Sequence, residues 1–171
     1  NNILKTNEND ISITDKVPLN VHNEHSFKWV EKELKTNFKN INLLVLCPSS
    51  NSNIELLSKR LINFFDKLKN KKSKKSKTIK KTKRGNILLI STTDLLHYGN
   101  KFNNNNILEY PYLFDKIKKE ENLIDILKNV KLKNFIEIFI KKKSIICGPT
   151  SLLLFMYIAK NYNWEGIVCD Y

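Results

Sequence analysis

The sequence predicts an α/β fold: a three-layer sandwich in which a mostly parallel or mixed central sheet is covered by helices on both faces. Three observations carry that expectation. Residues 41–47 and 86–91 are compact apolar runs bounded by turn formers, the pattern of strands buried on both sides. Between them Ile54, Leu57, Leu61, Ile62, Phe65 and Leu68 recur at the helical period, which makes a β-α-β unit. The second run then ends abruptly in Ser91-Thr92-Thr93-Asp94-Leu95-Leu96-His97-Tyr98-Gly99. A strand ending this way delivers hydroxyls, a carboxylate and an imidazole to the edge where open α/β sheets bind ligands.

The elements follow in chain order. Residues 1–23 are polar, with a lone Pro18, and read as an irregular opening segment. Phe27, Val30 and Leu34 then fall at helical spacing, with Ser26 placed to cap the first turn and His25 at its amino end. Pro48-Ser49-Ser50-Asn51 closes the first strand, and the crossover helix starts from Asn53. After the strand at 86–91, residues 111–122 and 123–130 predict two short helices, and 132–143 a third with Phe135, Ile136 and Phe139 inward. Ser144-Ile145-Ile146-Cys147-Gly148-Pro149 breaks the pattern. Thr150 opens an apolar helix over 152–161, too greasy for a surface element, and residues 166–171 begin another strand. Residues 24–171 read as part of one domain, with no internal repeat.

The net charge of +13 points at first to a polyanionic partner. Its distribution argues otherwise. Residues 67–84 hold eleven Lys or Arg and no acid, and the rest of the chain carries 19 basic against 17 acidic residues. A stretch so poor in apolar surface cannot offset its ordering entropy, so 67–84 is expected to be a solvated, mobile insertion. It has no aromatic side chain on which bases would stack, which disfavours nucleic acid as the partner. Asn103-Asn104-Asn105-Asn106 reads as a second biased insertion. No apolar window is long enough for a membrane span and no leader is evident. Cys47, Cys147 and Cys169 are odd in number and lack C-x-x-C spacing, so the expected setting is reducing and cytoplasmic. The chain begins on Asn1 and stops on Val168-Cys169-Asp170-Tyr171, which reads as mid-strand, so a segment of a longer protein is expected.

Cysteine, histidine and aspartate hold transition metals or act as nucleophile and base. His25, Asp94 with His97, and Cys147 each stand at an expected element boundary, where an α/β fold brings side chains to one sheet edge. Each also has a structural reading. An isolated cysteine is commonly a packing residue, His25 can interact with a helix end, and Asp94 can cap the turn after its strand. By spacing alone both readings stay open. Gly is scarce, and no H-E-x-x-H, Walker loop or G-x-G-x-x-G is present, which disfavours a phosphate-cradling nucleotide fold.

Taken together and in order, three blocks resemble the Memo family, relatives of the LigB-type class III extradiol dioxygenases. Glu24-His25-Ser26 is similar to the family's Glu-His-Ser at a helix start. Ser91-Thr92-Thr93-Asp94-Leu95-Leu96-His97-Tyr98-Gly99 is similar to its Ser-Ser-Asp-x-x-His-aromatic-Gly, and Ile145-Ile146-Cys147-Gly148 to its Ile-Cys-Gly. The resemblance runs from about Glu24 to Tyr171 and implies the carboxyl-terminal portion of a LigB-like domain. It leaves 67–84 and 103–106 as insertions.

The resemblance further implies a non-haem iron or copper site in which Cys147 is a metal ligand, together with two histidines in segments that would precede Asn1. Asp94 would be a further metal ligand or orient its neighbours, and His97, Asp94 and His25 would be the catalytic residues of dioxygenase-like redox chemistry. A histidine base of this kind works best with a pKa near neutrality. Lys28, Val30 and Ser151 depart from residues common in the family at those places. The same resemblance implies an alternative, a non-catalytic adaptor that recognises a phosphopeptide or another protein in signalling and cell motility. Fold alone does not choose between the two.

Overall fold

The computed structural model describes residues 25–38, 44–49, 51–71, 87–95, 112–140 and 146–169. Among them are five helices: α1 (His25–Asn37), α2 (Ile54–Lys71), α3 (Tyr112–Lys128), α4 (Leu132–Ile140) and α5 (Pro149–Asn161). The chain divides into two compact units, residues 1–46 with 63–81 and residues 47–62 with 82–171.

In the first unit α1 turns its half-buried Phe27, Val30 and Leu34 to one side, as their spacing requires. Its solvent side is laced by the Glu31–Lys35 pair, with Nζ to Oε1 at 2.6 Å. The helix begins at His25, so Ser26 lies inside the first turn instead of ahead of it. Such a shift of a residue or so is ordinary at helix ends.

α2 starts as its sequence directs. Asn53 is the cap, its Oδ1 accepting from the Leu56 amide at 3.0 Å. Ile54, Ser58, Leu61 and Phe65 form one buried stripe, with Leu61 0% exposed. The helix continues through Lys71, so the amino end of the basic stretch is helical and not loop. Lysine is a good helix former, and its charge does not prevent continuation of a turn already nucleated. Residues 72–86, and the Asn-rich stretch 103–106, lie outside the described residues.

The core of the second unit rests on α5, whose Leu152, Leu153, Leu154, Met156, Ile158 and Ala159 are buried. It lies against α4, and α4 against α3. α3 is one continuous helix where two short ones were expected, and it supplies Leu123 and Ile126 to the interior; Phe135 of α4 is 1% exposed. α3 and α5 end alike. Val130 (φ 47°) and Asn163 (φ 52°) each take the left-handed conformation. The amide after each reaches back five residues, Lys131 to the Ile126 carbonyl at 2.9 Å and Trp164 to that of Ala159 at 3.0 Å. This is the Schellman closure, which satisfies carbonyls a helix end leaves free.

The expected α/β sandwich is not what the structure shows. Among the described residues there is no strand and no sheet. The apolar segments expected as strands at 41–47, 86–91 and 166–171 are represented by 44–47, 87–91 and 166–169, which have no regular secondary structure. Leu88 is 63% and Ile167 87% exposed, far from burial between helix layers. The physical reason is that a helix closes its hydrogen bonds within itself, whereas a strand exists only when another backbone pairs with it. An apolar run signals burial; it does not supply the partner. Among the described residues no helix is long and apolar enough to cross a membrane, in line with the sequence.

Candidate functional site

The structure joins two of the predicted site residues. The Cys147 amide donates to the Asp94 carbonyl at 2.9 Å. In return the Thr93 hydroxyl Oγ1 donates to the Cys147 carbonyl. Both backbone polar groups of Cys147 are therefore taken up by the consecutive pair Thr93-Asp94. In a regular ladder both bonds would come from backbone groups. Here a side chain supplies one, which is why the two segments meet without forming a strand pair.

Downstream of Cys147 the chain turns sharply. Gly148 has φ 64° and ψ 44°, a left-handed conformation that glycine adopts without steric cost, and it precedes α5 directly. Pro149 occupies the first helical position, where a missing amide hydrogen costs no hydrogen bond. The Ser151 amide closes back on the Gly148 carbonyl at 3.1 Å. A second tie comes from Thr150, buried in the first turn, whose Oγ1 donates to the Pro48 carbonyl at 3.0 Å. The turn after the first apolar run and the start of α5 are thereby fixed together. On the other side Ser91 has a buried Oγ without a hydrogen-bond partner.

The remaining predicted residues stand as follows. Cys147 is an exposed free thiol and Asp94 is exposed. His25 is the first residue of α1, in the first unit, whereas Asp94 and Cys147 belong to the second. His97 lies outside the described residues. A thiolate and a carboxylate suit iron or copper in donor type. They are two donors, and no group of three His, Cys, Asp or Glu that could hold a metal occurs among the described residues.

Sequence reasoning missed Thr93 and Thr150 as structural actors. Thr93 lay within a quoted motif, but a hydroxyl that binds a carbonyl 54 residues away leaves no periodic trace. The same holds for Thr150 and Pro48, 102 residues apart.

No curated protein and no solved structure matches the chain. A family model, that of the Memo-like proteins, matches residues 57–171. The matched stretch contains Asp94, His97 and Cys147 and begins after His25. With two thirds of its length matched, including the junction where Thr93 and Asp94 hold Cys147, this chain belongs to the Memo-like protein family.

Proposed function

We propose that this Memo-like chain contributes a wall of a non-haem iron or copper site, with Cys147 as the thiolate ligand and Asp94 as carboxylate ligand or orienting group. The observation that carries the reading is the direct backbone bond between Asp94 and Cys147, which puts the two donor residues side by side from segments 53 positions apart. His97, three residues beyond Asp94 in sequence, is the candidate acid and base. The metal would supply oxygen-linked redox chemistry when bound. What the chain itself does is hold Cys147 on a fixed backbone and keep Asp94 adjacent to it.

Metal analysis of the full-length protein tests this. Iron or copper approaching one per chain, lost in Cys147→Ser and retained in Cys47→Ser, is the expected result. Equal metal content in wild type and Cys147→Ser rejects it.

A second reading, a protein-binding module without turnover, is favoured by the exposed apolar side chains of Leu88, Ile90, Ile167 and Val168. A chain that carries no metal yet binds a phosphopeptide or protein partner as tightly after Cys147→Ser selects this reading over the first.

A further inference from the structure

We infer that Thr93 is a positioning residue that fixes the backbone from which the Cys147 side chain projects, a role that rests on the reading of Cys147 as the functional thiol. A side chain leaves its Cα in a direction fixed by the two peptide planes that flank it. At Cys147 the plane before is anchored by its N–H on the Asp94 carbonyl, and the plane after by its C=O on the Thr93 hydroxyl. One anchor alone leaves the residue free to swing about it; two anchors on adjacent residues remove that freedom.

The sequence downstream raises the need for the second anchor. Gly148, with no Cβ and a left-handed backbone, is the residue most able to relax, and Pro149 has no amide hydrogen with which to secure the turn. The Cys147 carbonyl would otherwise be held by nothing upstream of α5 except the flexible glycine. Of the two anchors, Asp94 acts through its backbone carbonyl and is insensitive to side-chain identity. Thr93 acts through its hydroxyl and can be removed by mutation.

The test uses the full chain with Cys47→Ser and Cys169→Ser as background, so that Cys147 is the one thiol. Amide hydrogen exchange is read at Cys147 and, as internal reference, at Met156 and Ile158 in the buried face of α5. Thr93→Val keeps the shape and removes the donor; Thr93→Ser keeps the donor; Thr93→Ala is the second deletion should valine disturb folding. Loss of the hydroxyl is expected to speed exchange at Cys147 about five- to tenfold while Met156 and Ile158 stay within about twofold, and serine is expected to restore the slow rate. Unchanged exchange at Cys147 in both deletions overturns the proposal. So does a uniform acceleration at all three amides, because it assigns Thr93 to general stability.

The same variants are titrated with copper(II) and read by thiolate-to-copper absorption, which is expected to weaken in Thr93→Val and return in Thr93→Ser. Absorption equal in the chain with all three cysteines and in the same chain carrying Cys147→Ser rejects Cys147 as a metal ligand, while the exchange result still decides the role of Thr93. Absorption equal in the Cys147-only background and Thr93→Val, with exchange unchanged, rejects Thr93 and leaves the metal reading standing.

Discussion

At the residue scale the most constrained positions are those where the backbone has no room. Gly166 donates its amide to the Lys128 carbonyl at 2.9 Å, joining the segment after α5 to the last turn of α3. A Cβ at Gly166 would stand 2.8 Å from both the Cα and the carbonyl oxygen of Lys128, atoms that cannot rotate away. Gly166→Ala should therefore push this segment off α3 and cost about 1–3 kcal/mol, by the usual penalty of overfilling. Urea unfolding measures it, and a midpoint equal to wild type would show that the approach relaxes freely. Beside it Trp164 lies over Phe155 at 6.0 Å and Tyr162 at 5.8 Å, so its fluorescence reports any displacement of the segment. Nothing in the sequence around Gly166 announced this contact. Gly148, by contrast, was visible as a pattern break before a greasy helix.

At the scale of elements, every helix expected from apolar periodicity is present in some form, and every expected strand is absent among the described residues. α5 shows why the first kind of signal is robust. Its run Leu152-Leu153-Leu154-Phe155-Met156 is so apolar that burial follows whatever the neighbours are, and Ile158 ends 0% exposed. Ile158→Ala should cost about 2–5 kcal/mol through lost transfer energy and a cavity, whereas Lys160→Ala on the exposed side should stay within about 0.5 kcal/mol. Chemical denaturation of the pair checks it; similar costs at both positions would contradict the assigned burial. The boundaries were less legible. The expected break near Asn122 in α3 does not occur, because the polar run Lys118-Lys119-Glu120-Glu121-Asn122 interrupts the apolar stripe without breaking the hydrogen-bond ladder.

At the scale of the whole molecule the charges decide the response to pH. Asp125 accepts from Lys131 Nζ at 2.7 Å and from Asn129 Nδ2 at 2.7 Å. The hydrogen bond from Lys131, aided by its charge, holds the carboxyl below its ordinary range. Its contribution is present above the unfolded value of about 3.9 and is lost as pH falls through the lower folded value. Among the described residues two groups bear on the alkaline side. Lys59 is raised by its hydrogen bond to Glu55, and Tyr157 is raised by burial and then by the Glu55 charge. Both contributions are present below the unfolded values, near 10, and are lost as pH climbs through the raised folded ones. Thermal melts should show a plateau between these limits, with Asp125→Asn flattening the acid limb and Tyr157→Phe the alkaline limb. An acid limb unaltered by Asp125→Asn would remove that residue from the account. Lys59 and Asp125 are surface groups, so their effects are small and salt-sensitive.

The sequence by itself determined the helices, the interior face of α5, the concentration of charge in 67–84 and the family, because each is written in local periodicity, composition or a contiguous motif. The tertiary structure alone decided that Asp94 meets Cys147, that the Thr93 hydroxyl completes the junction, and that the described parts of the apolar runs form no strand. Those outcomes depend on which distant backbone offers a donor or acceptor, and a carbonyl has the same chemistry at every residue, so no side-chain pattern encodes its partner.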